Sequence, residues 1–318
     1  MTTYVTYDDI YRAQRAITGR VHRTPIISSS YLSTRIGARV YLKLESFQKT
    51  GSFKVRGVLN KLENLSAEQK AKGVITFSSG NTAQALAYAA SVAKIPAVVV
   101  MMTGGDPGKL EATRNYGAEV VLADPGVIRE TTKRIQEERG LAYVSPFDDL
   151  HVIAGGGTVG LEIMEDVPKA DMVLVGIGGG GIISGVAVAA KSTRPKARVI
   201  GVEPEGADAM SRSLKAGKVV TLDRVNTIAD GLAAPFAGEH TLAHVQKFVD
   251  KVVTVSDADI AEAMLLVLER CKVVAEPAAA APVAALLTGK IKPEKDSNVV
   301  CLISGGNVSA AKLKTLIP

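Results

Sequence analysis

Only two cysteines, Cys271 and Cys301, occur in 318 residues. Both sit in apolar stretches without metal-ligand spacing, which excludes a thiolate metal centre and predicts buried free thiols. Basic clusters are just as scarce. The net charge is +6, but lysine and arginine are spread along the chain and seldom grouped beyond pairs. Without a basic stripe or a recognition motif, no nucleic-acid partner is expected. The first residues, MTTYVTYDDIYRAQRAITG, lack the apolar core of a secretion signal. The longest aliphatic run, IPAVVVMM, is far short of the roughly 18 residues a membrane span requires. No membrane association is predicted, and a cytoplasmic enzyme is the default. No fixed-period repeat and no Pro/Ser-rich linker divides the chain. A composition of 47% hydrophobic and 22% charged residues excludes disorder.

What is present is alternation. Short β-branched runs (VYLKLE, GVITF, PAVVVMM, AEVVLA, DMVLVGI, ARVIGVE and NVVCLIS) alternate with longer amphipathic or Ala-rich segments. The pattern predicts a mainly parallel α/β fold whose functional loops gather at the carboxyl ends of the strands. With no linker, any two domains must interleave. One boundary is expected near SPFDDLHVIAGGG, where Pro, Asp and Gly cluster.

The segment VLVGIGGGGIISGVAVAA leads a strand through Gly178, Gly179, Gly180 and Gly181 into a helix. Glycines let the backbone approach an anion, which the N–H groups and dipole of a helix start then bind. A phosphate cradle is one reading. A nicotinamide dinucleotide site is another, because Gly176, Gly178 and Gly181 satisfy G-x-G-x-x-G and Glu203 follows a strand at the place of a ribose-binding acid. Tight strand–helix packing is the third. The loop FSSGNT places Ser78, Ser79, Gly80, Asn81 and Thr82 at another helix start, well suited to a carboxylate. CLISGGN ends a strand with Ser304 before Gly305, Gly306 and Asn307, and SFKVRG sets Lys54 between Phe53 and Val55 behind a Thr-Gly-Ser turn. His240 and His244 have the spacing of a zinc pair but no third ligand in view, so a solvated helix face is expected there.

The ordered series SFKVRG, SSGNT, GGGGIISG and SGGN resembles the pyridoxal-phosphate enzymes of fold type II, in particular the branch of threonine/serine dehydratases and serine racemases. The resemblance runs from RTPI near residue 24 to Asn307. It implies two interleaved open parallel-sheet domains, 1–70 with 147–318 binding the cofactor and 71–146 binding the substrate carboxylate. It implies Lys54 as the Schiff-base lysine and Phe53 beside the pyridine ring. Gly178 to Gly181 would hold the phosphate, Asn81 would contact the ring's phenolic oxygen, and Ser304 the ring nitrogen. Ser79 would be a second acid/base on the face opposite Lys54, within the carboxylate loop Ser78 to Thr82. The implied reaction is dehydration and deamination of a β-hydroxy L-amino acid to a 2-oxo acid and ammonia, with racemisation as a side activity. A homodimer is implied as well. Eleven residues follow Asn307, so no C-terminal effector-binding domain is expected.

Several positions depart from the branch. Thr82 stands where SSGNH is common, Ser145 where His often precedes Pro-Phe, Gly156 where GQGT has Gln, and Ala279 where EPAGA has Gly. These positions keep 3-hydroxyaspartate, a phenylserine or a β-replacing reaction open as alternatives. GVEPEGADAM resembles a Mg²⁺ or Ca²⁺ segment with Glu203 and the Ala207 carbonyl as ligands, although Ala209 replaces an expected carboxylate. A nicotinamide oxidoreductase would leave Lys54 and Ser304 without a role, and a non-catalytic binding protein would leave the whole set unexplained.

Overall fold

A computed structural model describes residues 3–316. Each of the β-branched runs forms a strand. In chain order the strands are β1 (Ile26–Ser28), β2 (Arg39–Leu44), β3 (Val74–Phe77), β4 (Ala97–Met102), β5 (Glu119–Ala123), β6 (Ala142–Tyr143), β7 (Met172–Gly176), β8 (Arg198–Pro204), β9 (Lys251–Val255) and β10 (Asn298–Ile303). Three of them, β1, β6 and β9, were not foreseen. Two are very short, and β9 is half-buried along most of its length, so none presents the continuous apolar run of a strand covered on both faces.

The strands build a six-stranded sheet ordered β1-β2-β10-β7-β8-β9 and a four-stranded sheet ordered β5-β4-β3-β6. All neighbours pair in parallel except β1 with β2. Along β10, Val299, Cys301 and Ile303 face one core while Val300 and Leu302 face another. The period of two in side-chain direction thus buries both faces of the large sheet under helices. The Ala-rich helix Pro277–Leu287 covers one face and helix Gly181–Thr193 the other. The four strands of the smaller sheet all lie between residues 74 and 143.

The stretch SPFDDLHVIAGGG supplies a short connection and then helix Leu150–Asp166, which continues through Gly155 to Gly157. Against it packs helix Lys54–Glu63, held by a buried ion network. Arg56 donates to both oxygens of Glu45 at 2.8 Å, and to Glu162 Oε1 at 2.7 Å and Oε2 at 3.0 Å. Lys43 Nζ donates to Glu162 Oε2 at 2.6 Å. Burial works against the Glu45 carboxylate, but the Arg56 guanidinium, with the Thr24 hydroxyl and the Lys43 charge, more than offsets it, leaving this carboxyl below its ordinary range. Both cysteines are free, Cys301 buried and Cys271 half-buried.

The expectation for the histidine pair is corrected. His244 is fully buried, its Nε2 accepting from Val5 N at 2.9 Å and its Nδ1 lying 2.6 Å from the His240 carbonyl. The imidazole joins the N-terminal segment to helix Glu239–Phe248 and is not a solvated face.

Candidate active site

A cavity of about 530 Å³ opens where β3, β7 and β10 end, the place a parallel sheet reserves for ligands. Phe53 and Lys54 reach it from one helix start, Ser78 to Thr82 from the loop after β3, Gly178 to Gly181 from the loop after β7, and Ser304 from the end of β10. The structure thus gathers these loops, dispersed in sequence, around one space. Two short contacts lock the Lys54 turn to β10: Phe53 N donates to the Ser304 carbonyl at 3.1 Å, and Ser52 bridges to Gly305.

Lys54 Nζ donates to the Pro146 carbonyl at 2.7 Å and lies 5.1 Å from the centre of the Phe53 ring. Burial pulls its amine down to about 8, against the pull of the Glu276 carboxylate. A substantial neutral fraction near that pH gives a nucleophile and a base. Ser79 Oγ accepts from Met102 N at 2.8 Å, which leaves its own proton free to donate. Helix Asn81–Ala93 begins at the loop and aims its positive end at the cavity.

The glycine loop fits a phosphate. Gly180 is the N-cap of helix Gly181–Thr193 at φ 92°, a left-handed backbone that disfavours side chains. A Cβ on Gly179 would lie 2.3 Å from the Phe147 ring. The N–H groups of Gly178, Gly179 and Gly180 have no hydrogen-bond partner among the described residues. Unpaired amides at a helix start, beside a lysine of lowered pKa, are the donor set for a phosphorylated carbonyl cofactor.

One residue of the site was missed. Glu276 lines the cavity at 7% exposure, and its Oε1 accepts from Asn81 Nδ2 at 2.8 Å. Burial pushes its carboxyl up to about 7, against the Lys109 charge and the Asn81 hydrogen bond. An acid directly before proline reads as a helix cap, and Glu276 is the N-cap of Pro277–Leu287. The signal for more was its place at the start of an Ala-rich helix buried from Pro277 to Leu286, where an unpaired charge is costly.

Glu203 and Ala207 lie outside the cavity. The Glu203 carboxylate accepts from Met210 N at 2.8 Å, Ser211 N at 2.9 Å and Ser211 Oγ at 2.6 Å. It caps the start of helix Ala209–Ala216 and is neither a ribose acceptor nor an open cation ligand. Among the described residues no three His, Cys, Asp or Glu side chains converge as metal ligands. Both Glu203 oxygens are taken up by these donors, so Glu203 and the Ala207 carbonyl do not form the open oxygen-ligand set that a Mg²⁺ or Ca²⁺ ion requires.

Comparison with known proteins agrees with the cavity. A family model described as pyridoxal-phosphate dependent enzyme matches residues 17–305. An L-threonine ammonia-lyase of Thermotoga maritima is 46% identical over 315 residues, spanning 98% of this chain and 78% of that protein. A serine racemase of Oryza sativa is 41% identical over 310 residues, spanning 96% of this chain and 91% of that protein. The solved structure of maize serine racemase superposes with a TM-score of 0.94 at 40% identity, covering 99% of this chain and 97% of that one. The chain belongs to the pyridoxal-phosphate dependent enzymes of fold type II, and pyridoxal phosphate is its cofactor.

Proposed function

We propose that this chain is an ammonia-lyase that removes the β-hydroxyl of an L-amino acid such as threonine or serine and releases a 2-oxo acid and ammonia. The carrying observation is the convergence of Lys54, the Ser78 to Thr82 loop and the glycine cradle on one cavity, in a chain 46% identical to an L-threonine ammonia-lyase. Pyridoxal phosphate, when bound, would supply the electron sink that acidifies the Cα proton of an amino acid.

The protein's residues do the rest. Gly178 to Gly181 would hold the phosphate of the cofactor, Phe53 would flank its ring, and Ser304 would meet the ring nitrogen. Asn81 would meet the phenolic oxygen, its amide fixed by Glu276 and by Asn307. The hydroxyls and N–H groups of Ser78 to Thr82 grip the α-carboxylate and orient Cα. Lys54 would accept the Cα proton, a role suited to an amine brought down to about 8. Loss of water and hydrolytic release of ammonia balance to one 2-oxo acid and one ammonia per substrate. Racemisation at Cα is a second output, favoured by Ser79 at the cavity and by the serine racemases among the relatives.

The test is a panel of L-threonine, L-serine, 3-hydroxyaspartate and phenylserine, with 2-oxo acid and ammonia measured for each. Threonine or serine should give both products in equal amounts. Turnover confined to 3-hydroxyaspartate or phenylserine would move the substrate assignment, and no product from any of the four would contradict the lyase reading.

We extend the proposal to organisation. Residues 1–70 with 147–318 form the cofactor domain, 71–146 the carboxylate domain, and two copies form a dimer, which sedimentation equilibrium would check. No helix among the described residues is long and apolar enough to cross a membrane. Both cysteines are free, which suits a reducing compartment and supports the reading of a cytoplasmic enzyme.

A further inference from the structure

Against the glycine loop, and not among the residues that line the cavity, lies Thr241, fully buried. Its Oγ1 accepts from Gly238 N at 2.9 Å and lies 2.6 Å from the Gly179 carbonyl and 3.2 Å from that of Gly238. A hydroxyl has one proton to donate, and the shorter contact assigns it to Gly179. The Gly179 carbonyl and the Gly180 N–H belong to one planar trans peptide, so they point in opposite directions. A donor that fixes the carbonyl on the protein side turns the N–H to the cavity side.

The next peptide needs no such help. The Gly180 carbonyl already accepts from Ser184 N at 3.1 Å and Ser184 Oγ at 2.7 Å within the first turn of the helix. The Gly179–Gly180 peptide precedes the helix and has no helical bond to orient it. Thr241 is itself held in place. Asp148 Oδ1 accepts from Thr241 N at 3.2 Å and Asp148 Oδ2 from Glu239 N at 3.1 Å, while the adjacent Phe147 packs on Gly179.

We propose that Thr241 is a positioning residue for the cofactor phosphate: its hydroxyl holds the Gly179–Gly180 peptide so that the Gly180 N–H faces the anion. The proposal rests on the reading of Gly178 to Gly181 as the phosphate site. It predicts a defect specific to the phosphate group, which a purely structural role would not produce.

The experiment compares the full-length protein, stripped of cofactor, with its Thr241→Val, Thr241→Ala and Thr241→Ser variants. Dissociation constants for pyridoxal phosphate and for pyridoxal, which lacks the phosphate, are read from visible absorbance. Thr241→Val and Thr241→Ala should weaken pyridoxal phosphate binding by about tenfold, as expected for one lost hydrogen bond, and leave pyridoxal nearly unchanged. Thr241→Ser, which keeps the hydroxyl, should stay close to wild type for both. Equal losses for both compounds, no loss for either, or failure of both the Val and Ala variants to fold would assign Thr241 a structural role and overturn the proposal. Wild-type protein that bound pyridoxal but gained nothing from the phosphate would instead overturn the reading of the glycine loop, and this proposal with it.

Discussion

Asn81 and Glu276 meet across the cavity at 2.8 Å although 195 residues separate them in sequence. Asn307 Nδ2 donates to the other end of the same amide at 2.8 Å, so the orientation of Asn81 is set by its two partners. Burial pushes the Glu276 carboxyl up from 4.5 to about 7. The folded protein therefore keeps a proton that the unfolded chain releases, and the stability linked to this group is present below pH 4.5 and lost as pH rises through about 7. The urea midpoint of the cofactor-free protein should fall across that window. Glu276→Gln, which cannot ionise, should reduce the fall without abolishing it, because Glu203 is also pushed up to about 7. Parallel curves for the two proteins would contradict the assignment.

Arg56 is 1% exposed and neutralises two buried carboxylates. Its removal leaves Lys43 alone to balance both Glu45 and Glu162. Arg56→Ala should lower the unfolding free energy by about 3–5 kcal/mol, the range for breaking a buried pair. Urea denaturation checks it, and a loss below about 1 kcal/mol, the scale of an exposed ion pair, would show that the network does not hold the Lys54 helix.

Ser79 accepts a backbone N–H through Oγ and keeps its proton. If it serves the face of Cα opposite Lys54, Ser79→Ala should depress racemisation of L-serine by roughly 10²-fold or more, the lower range for a lost acid/base group, with a smaller effect on elimination. The two rates are compared by chiral separation of serine and by 2-oxo acid release. Equal losses would show that Ser79 only grips the carboxylate.

Ser304 is buried at the end of β10. Its hydroxyl can bond a ring nitrogen but cannot pair with a positive charge there, whereas a carboxylate can. Ser304→Asp should therefore make the cofactor a stronger electron sink, slow elimination, and raise Cα exchange with solvent deuterium relative to 2-oxo acid formed. An Asp variant that folds, binds cofactor and keeps the wild-type ratio would show that Ser304 does not set the course of the reaction.

The site was legible where its chemistry is local. Lys54, Ser79, Asn81 and Ser304 stand in short loops that announce themselves by glycine and hydroxyl content, and the strands before them by β-branched runs. Glu276 and His244 were not legible in the same way. Their partners, Asn81 and Val5, lie 195 and 239 residues distant, and only the fold brings them into reach. Glu203 misled for the opposite reason. An acid after a strand matches a ribose or cation ligand by position, yet it is used up by the N–H groups of the helix that follows.

The central claim is that Lys54 carries the cofactor and moves the Cα proton. The direct measurement is the release of 2-oxo acid and ammonia from L-threonine or L-serine by the wild type and by Lys54→Ala, each supplied with pyridoxal phosphate. The account predicts equal amounts of both products from the wild type and a rate lower by roughly 10²–10⁴-fold or more in the variant. A Lys54→Ala protein that turned over at the wild-type rate would contradict it.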